Sequence, residues 1–128
     1  MVLDTSALLA MLLNEPEAEG FRRAVDEDPT RLLSAATLLE TAIVIEAKKG
    51  DAGGRELDLL LVKANVDIVS VDADQVIEAR RAYRRYGKGR HGAGLNFGDV
   101  FAYALSRTAG EPLLFKGDDF AKTDVARR

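Results

Sequence analysis

Short apolar segments alternate with helix-forming segments along this chain, and that alternation narrows the possible folds more than any other feature. The predicted strands are Met1–Leu3, Leu32–Ser34, Val66–Val71 and Leu113–Phe115, with a possible short final one around Asp124 and Val125. Strands separated by helices favour parallel pairing, because a parallel connection needs room for a crossover. We therefore expect an α/β fold with one parallel β-sheet of four to five strands, flanked by helices on both faces.

Capping residues and glycines mark where the helices begin and end. The predicted helices are Ala7–Asn14, Pro16–Glu27, Ala35–Lys49, Gly53–Ala64, a segment from Asp72 to Tyr86, and Phe97–Thr108. Ser6 or Thr5 is the expected N-cap of the first helix, and Thr37 with Glu40 forms a possible capping box. Glycines follow three of the predicted helix ends, at positions 50, 87 and 110.

Length and composition predict one domain spanning residues 1–128, which at this size buries roughly two-thirds of its unfolded surface. The absence of cysteine excludes disulfides and thiolate metal sites, and it suits a reducing, cytoplasmic location. The apolar start lacks the basic region of a signal peptide and contains Asp4, so a targeting role is disfavoured. No apolar run approaches the length of a membrane span, and we expect no membrane partner.

The net charge of −3 hides a local excess of positive charge. Between positions 80 and 91 there are six basic residues and no acidic one: Arg80, Arg81, Arg84, Arg85, Lys88 and Arg90. This group, the basic strip, is a candidate surface for a polyanion, which it would attract electrostatically. A solvated helix face followed by a basic loop explains the same pattern, and both interpretations stay open.

Four acidic residues lie where predicted strands give way to helices or turns, namely Asp4, Glu40, Asp99 and Asp118. In a parallel α/β fold these points share one edge of the sheet, so we expect the carboxylates to approach each other. Two unit charges about 4 Å apart repel by roughly 4 kcal/mol at an effective dielectric near 20. Protons or cations must offset that repulsion, and the pattern therefore predicts a metal site.

Each acidic residue also has a structural explanation. Asp4 suits an Asx-turn, Glu40 the capping box, Asp99 the favourable end of a helix dipole, and Asp118 a tight turn. Glu40 is the hardest to explain in this way, since its helix is apolar on nearly every side and offers no basic partner within one turn. Asp119 competes with Asp118 for the fourth position.

The oxygen-only donor set indicates which metal would bind. Carboxylates without histidine or cysteine ligands suit hard cations such as Mg²⁺ or Mn²⁺. His91 is the only histidine, which excludes a two-histidine mechanism and disfavours a Ser-His-Asp triad. Such a site beside a basic strip suits hydrolysis of a phosphodiester.

Four motifs carry a resemblance to a known family. They are Val2-Leu3-Asp4-Thr5-Ser6-Ala7-Leu8, the helical Glu40, Asn96-Phe97-Gly98-Asp99, and Leu114-Phe115-Lys116-Gly117-Asp118-Asp119-Phe120. Their order and spacing resemble the PIN-domain ribonucleases, and most of all the VapC toxins of bacterial type II toxin–antitoxin systems. The resemblance spans the whole chain.

The resemblance implies a Mg²⁺- or Mn²⁺-dependent endoribonuclease of the PIN-like fold. Asp4 and Asp99 would bind the metal, Glu40 and Asp118 would complete the catalytic acidic set, and Ser6 and Asn96 would support it. The substrate would be RNA, gripped by the basic strip. A VapB antitoxin would inhibit the enzyme at its active site.

A homodimer is also implied, and two helices support it independently. The segments Ala7–Leu13 and Ala35–Ala47 are apolar over more than the single stripe of a surface helix. One face can pack on the sheet, and the remainder suits a subunit or antitoxin interface. Deep burial within a small domain explains the same pattern.

Two other interpretations stay open. A receiver-like signalling domain also binds Mg²⁺ in an acidic pocket and accepts a phosphoryl group on an aspartate. Such domains usually carry an acidic pair after the first strand, whereas here Asp4 is followed by Thr5 and Ser6. A catalytically dead scaffold that only binds RNA or protein is disfavoured by the complete acidic set.

Overall fold

A four-stranded parallel sheet forms the centre of the fold, and the computed structural model describes all residues from 1 to 128. The strands are β1 (Val2–Leu3), β2 (Leu32–Ser34), β3 (Asp67–Val69) and β4 (Leu113–Leu114), in the order β3-β2-β1-β4. Val2 of the central strand β1 is in register with Leu32 on one side and Leu113 on the other. The α/β prediction with a parallel sheet is confirmed.

Five helices cover the sheet. They are α1 (Thr5–Leu12), α2 (Ala18–Glu27), α3 (Ala35–Lys63), α4 (Ala73–Tyr86) and α5 (Asp99–Ala109), followed by a short 3₁₀ helix at Phe120–Lys122. The two helices predicted between residues 35 and 64 meet directly at Gly50, whose φ of 63° and ψ of −155° interrupt α3. Glycine adopts this positive φ without steric cost, so the chain bends there without a loop.

The two faces of the sheet bury separate hydrophobic cores, as alternation along a strand requires. Leu3 of β1 and Leu114 of β4 pack with residues of α1, α2 and α3. Val2 and Leu113, their neighbours in sequence, pack with residues of α4 and α5 on the opposite face. Helices therefore lie on both faces, as predicted. The carboxyl ends of the parallel strands lie together along one edge of the sheet.

Two of the predicted helix caps are wrong. Asp4, rather than Ser6 or Thr5, is the N-cap of α1 and accepts a hydrogen bond from the backbone N–H of Ser6. Ser34 caps α3 directly at the end of β2, so that helix begins earlier than a capping box of Thr37 with Glu40 would require. Glu40 therefore lies inside the helix and has no capping role.

The chain end runs beside the edge of β4, but it forms no fifth strand around Asp124 and Val125. Instead a single parallel bridge joins Leu113 to Arg127. The carbonyl of Ala126 accepts from the N–H of Leu113 at 2.8 Å, and the N–H of Arg128 donates back to the Leu113 carbonyl at 3.0 Å. This pairing covers the outer edge of β4.

The two helices with excess apolar surface differ in the structure. Most of α1 is buried in the core, which accounts for its composition. On α3, Leu39 and Ile43 remain 62% and 60% exposed. Of these two helices, only α3 therefore keeps an apolar face available to a partner. None of the helices combines the length and apolar character needed to cross a bilayer.

Candidate active site

Asp4 is the buried centre of the acidic group. It directly follows β1, and only 4% of its surface is exposed. Its Oδ2 accepts hydrogen bonds from the N–H of Ser6 at 3.0 Å and from the Ser6 hydroxyl at 2.6 Å. The other oxygen, Oδ1, accepts no hydrogen bond from the protein, so it remains free for a ligand.

Ser6 connects the ends of two neighbouring strands. Besides donating to Asp4, its hydroxyl accepts from the backbone N–H of Lys116 at 2.9 Å, just beyond β4. The Lys116 ammonium in turn forms ion pairs with Glu15 and Glu17. Glu15 and Glu17, which lie outside the acidic group, therefore neutralise the charge of Lys116. Asp4 is held in place by the uncharged side chain and the backbone of Ser6.

Glu40 reaches the same edge from inside α3, held by hydroxyl groups. Its Oε1 accepts a hydrogen bond from the hydroxyl of Thr5 at 2.6 Å. The hydroxyl of Thr41, which is fully buried, lies 3.0 Å from that of Thr5. The second oxygen of Glu40, Oε2, lies against the backbone of Gly98. A Cβ atom at Gly98 would stand only 1.8 Å from this oxygen.

Asp99 is the first residue of α5 and is fixed by a reciprocal pair of hydrogen bonds. Its Oδ2 accepts from the N–H of Asn96 at 2.9 Å, while its own N–H donates to Oδ1 of Asn96 at 2.9 Å. α5 follows a loop rather than a strand, so the expectation that Asp99 falls where a strand gives way to a helix is wrong. The helix start brings it to the same edge.

The pKa values show that these carboxylates interact. Burial raises the pKa of Asp4 to about 6, against the opposing effect of its hydrogen bonds with Ser6, and the charges of Asp99 and Glu40 raise it further. Burial is also the main cause that raises the pKa of Asp99, with contributions from the charges of Glu40 and Asp119. Asp4, Glu40 and Asp99 thus form one electrostatic group, the acidic cluster.

The loop after β4 carries both candidates for the fourth acidic position. Asp119, which immediately precedes the 3₁₀ helix, is the residue whose charge acts on Asp99. Asp118 is exposed in the same loop and does not act on Asp4 or Asp99 in this way. This charge effect favours Asp119 over Asp118 as the neighbour of the cluster.

The oxygen atoms of the cluster fit a hard divalent cation. No three acidic side chains converge on one point in this conformation. Magnesium commonly takes only one or two protein carboxylates and completes its shell with water and substrate oxygens. Asp4 and Asp99 each keep an Oδ1 that accepts no hydrogen bond from the protein, so a two-carboxylate site of that kind suits the residues present.

The basic strip lies on the exposed side of α4 and in the loop after it. Arg81 pairs with Glu78 at 2.7 Å, and Arg85 lies 3.7 Å from Asp124. Arg80, Arg84, Lys88 and Arg90 are exposed and form no ion pair. Four of the six positive charges are therefore available to a polyanion.

Some residues of the site were not predicted from the sequence. Thr5 lies inside the Asp4-Thr5-Ser6 motif, so its neighbours indicated its importance. Thr41 and Gly98 offered no local signal, because their roles depend on contacts between separate elements. His91 lies in the glycine-rich loop, where its Nδ1 accepts from the N–H of Ala93, and it forms no hydrogen bond with the acidic cluster.

A PIN domain model matches residues 1–126 of this chain. Ribonuclease VapC30 of Mycobacterium tuberculosis is 63% identical over 126 residues, covering 98% of this chain and 96% of that protein. Ribonuclease VapC of Mycolicibacterium smegmatis is also 63% identical, with 98% of each chain covered. The chain belongs to the PIN domain family, and within it to the VapC ribonucleases. That membership disfavours the receiver-like alternative.

Solved structures support the fold at low sequence identity. M. tuberculosis VapC20, a sarcin–ricin loop cleaving toxin, superimposes with a TM-score of 0.80 at 18% identity, covering 99% of this chain and 97% of that one. VapBC2 from Rickettsia felis, bound to a DNA fragment from its promoter, gives 0.74 at 14% identity, with 99% and 96% covered. The PIN-like fold is confirmed.

Proposed function

We propose that this chain is a Mg²⁺- or Mn²⁺-dependent endoribonuclease toxin of a toxin–antitoxin system, acting as a single PIN domain over residues 1–128. The observation that carries the proposal is the mutual charge effect of Asp4, Glu40 and Asp99 at one sheet edge, in a chain 63% identical to VapC ribonucleases. Uncompensated carboxylates in a half-buried site suit a cation-dependent hydrolysis.

Asp4 and Asp99 are the proposed metal ligands. Each offers a free Oδ1, while its Oδ2 is held by Ser6 or Asn96, so the free oxygens keep a fixed direction. A bound divalent cation supplies Lewis acidity and offsets phosphate charge. Ser6 and Asn96 act as supporting residues because they orient the ligands.

Glu40 and one loop aspartate complete the catalytic set. Thr5 holds one oxygen of Glu40, which leaves Oε2 to orient a water molecule or a second cation. Asp118 was expected at the fourth position, but we infer that Asp119 has this role, since its charge acts on Asp99. Comparing Asp118→Asn with Asp119→Asn decides between them, because only the functional substitution lowers cleavage.

RNA is the proposed substrate, and the basic strip is its docking surface. The exposed charges of Arg80, Arg84, Lys88 and Arg90 have no acidic partner and would lie along the phosphate backbone. Arg81 and Arg85 also belong to the strip, but each already faces a carboxylate. The four unpaired residues would therefore contribute more to binding.

A VapB antitoxin and a second copy of the chain are the proposed protein partners. VapBC2 from R. felis and a toxin–antitoxin complex from Klebsiella pneumoniae share this fold. The exposed Leu39 and Ile43 on α3 form an apolar face beside Glu40 that a second copy can cover. Sedimentation of wild type and Ile43→Asp tests this: a dimer that becomes monomeric supports the interface, and an unchanged mass refutes it.

Cleavage of a panel of tRNA, rRNA and mRNA, with and without Mg²⁺, tests the enzymatic proposal. We expect cuts only with Mg²⁺ or Mn²⁺, and we expect Asp4→Asn and Asp99→Asn to lower the rate by at least ~100-fold, since each removes a ligand of the proposed cation. Thermal unfolding of each variant controls for loss of fold. Full activity in both variants, or activity in excess EDTA, would refute the mechanism.

A further inference from the structure

Lys116 is held at two points, one on its backbone and one on its side chain. Its N–H donates to the Ser6 hydroxyl at 2.9 Å, and that hydroxyl donates to Oδ2 of Asp4 at 2.6 Å. Its ammonium forms ion pairs with Glu15 and with Glu17, the second at 3.1 Å. No other lysine of the protein pairs with two carboxylates. These three charged residues, the lysine clamp, fix both the position and the direction of the Lys116 N–H.

The two glutamates have a hydrogen-bonded support in the connection between α1 and α2. The Glu15 N–H donates to the carbonyl of Ala10 at 2.9 Å. The Glu17 carbonyl accepts from the N–H of Phe21 at 3.0 Å, in the first turn of α2. Both backbones are therefore part of helix ends, and the ion pairs tie Lys116 to them.

The loop that begins at Lys116 has few attachments of its own. The chain turns at Gly117, whose φ of 95° glycine adopts without steric cost. The N–H groups of residues 117–119 donate no hydrogen bond within the protein. Besides the bond to Ser6, the ion pairs with the two glutamates are thus the restraint on this end of the loop.

The bond from Lys116 also determines where the Ser6 proton points. A serine hydroxyl has one proton and two acceptor lone pairs, and it can rotate. Because the Lys116 N–H occupies one lone pair of the Ser6 oxygen, the proton is directed at Oδ2 of Asp4. With Oδ2 held in this way, Oδ1 of Asp4 keeps its direction as a free ligand.

We propose that Lys116 is a positioning residue for Asp4. Its ion pairs with Glu15 and Glu17 hold its N–H on the Ser6 hydroxyl, which directs Asp4 toward the cation. The proposal rests on the proposed function in taking Asp4 as a metal ligand. The lysine clamp acts on the site from outside it, and the Lys116 ammonium contacts neither the cation nor RNA.

Hydrogen exchange in the metal-free protein tests the lysine clamp separately from cleavage. Glu15→Gln/Glu17→Gln, the double variant, removes both ion pairs but leaves Lys116 and its intrinsic exchange rate unchanged. Exposed ion pairs contribute up to about 1 kcal/mol, which corresponds to roughly 5-fold. We therefore expect the Lys116 N–H to exchange roughly 5-fold faster in the double variant.

The N–H of Val2, which donates to the carbonyl of Pro112 at 2.7 Å in the sheet, is the internal control. Its exchange should stay within about 2-fold of wild type. Equal exchange of the Lys116 N–H in the two proteins overturns the proposal. So does an equal acceleration at Val2, which would indicate a general loss of stability.

Mn²⁺ affinity, measured by electron paramagnetic resonance without RNA, separates positioning from simple charge effects. If only charge mattered, Lys116→Met would strengthen cation binding and the double variant would weaken it. Positioning requires both changes to weaken it, by roughly 5-fold each. Lys116→Arg keeps the ion pairs and should stay within about 2-fold of wild type. Shifts of opposite sign in Lys116→Met and the double variant overturn the proposal.

Lys49→Met is the matched control for loss of a lysine. The Lys49 side chain is 39% exposed, against 35% for Lys116, and it pairs with one carboxylate, Glu56, at 3.2 Å. This variant should bind Mn²⁺ and cleave RNA like wild type. A wild-type protein that neither binds Mn²⁺ nor cuts RNA refutes the proposed function, whereas the exchange of the Lys116 N–H still decides whether the lysine clamp holds Ser6.

Discussion

The hydroxyl of Thr5 donates a 2.6 Å hydrogen bond to Oε1 of Glu40, and the hydroxyl of Thr41 lies 3.0 Å behind it. Since Thr5 has one proton and gives it to Glu40, its oxygen must accept from Thr41. Thr41 shares its own proton with the carbonyl of Thr37, 2.8 Å away. The chain of donors thus ends on the carboxylate, and Thr41 positions Glu40 through Thr5.

Removing the Thr41 hydroxyl should therefore slow catalysis. Thr41→Val keeps the shape of the side chain but loses the donor, and a buried hydrogen bond is worth about 1 kcal/mol. We expect the single-turnover rate of RNA cleavage to fall roughly 5-fold, whereas Thr41→Ser should cleave like wild type. In a Glu40→Gln background the Thr41→Val change should have little further effect. Equal rates for the Val and Ser variants would contradict this role.

Gly98 should tolerate no side chain without loss of activity. An alanine Cβ would stand 1.8 Å from Oε2 and 2.7 Å from Cδ of Glu40, so the flexible end of Glu40 must move away. We expect Gly98→Ala to lower cleavage strongly while changing the melting temperature little. Gly20→Ala is the matched control, because nothing lies within 4 Å of its Cβ position.

Gly20→Ala should leave cleavage unchanged and raise stability by about 0.5–1 kcal/mol, since alanine is the better helix former. Parallel measurements of thermal unfolding and cleavage for the two alanine variants separate a local clash from a general effect of losing glycine. Wild-type cleavage by Gly98→Ala would show that the position of Glu40 is not needed.

Much of the fold was predictable because its determinants are local. Asp72 caps α4 as expected, with its Oδ1 accepting from the N–H of Gln75 at 2.9 Å. Gly110 follows α5 in the left-handed conformation that favours glycine. Alternation of apolar strands and helices was enough to predict a parallel sheet covered on both faces.

The parts that were not predictable depend on distant contacts. Thr5 and Glu40 are separated by 35 positions, and no sequence pattern shows that their side chains meet. The choice between Asp118 and Asp119 depends on how one loop turns after β4. The capping box at Thr37 failed because Ser34, at the strand end, had already begun the helix.

Asp28 should give the stability of the fold a dependence on pH. Burial alone would raise the pKa of this carboxyl, but hydrogen bonds from the N–H of Thr30 and from Arg128 outweigh it and lower the pKa. A lowered folded-state pKa stabilises the fold at pH values above the unfolded pKa of about 3.9. That contribution is lost as the pH falls through the folded value.

Asp28→Asn should therefore be less stable than wild type by about 1 kcal/mol at pH 7, with the difference shrinking as the pH falls below about 4. Urea unfolding of both proteins at pH 7 and at a series of values below pH 4 measures the difference. A gap that stays constant with pH would show that the charge of Asp28 contributes nothing. Asp26→Asn is a suitable control, because this nearby carboxylate forms no ion pair.

Tyr103 of α5 anchors the end of the chain. The Tyr103 hydroxyl donates a 2.5 Å hydrogen bond to Oδ1 of Asp124, whose Oδ2 also lies 3.7 Å from Arg85 and 3.8 Å from Arg107. Burial and the adjacent Asp124 raise the pKa of Tyr103, so it remains a donor throughout the neutral range. Hydrogen bonds to charged groups are worth about 1.5–3 kcal/mol.

Tyr103→Phe should remove that anchor and loosen the segment that pairs with β4. We expect hydrogen exchange at the N–H of Arg128, which donates to Leu113, to quicken by roughly 10-fold or more, since 1.4 kcal/mol corresponds to tenfold. Asp124→Asn keeps an acceptor for the hydroxyl and should have a smaller effect. Equal exchange in Tyr103→Phe and wild type would mean that the bridge at Leu113 holds the chain end without help from Tyr103.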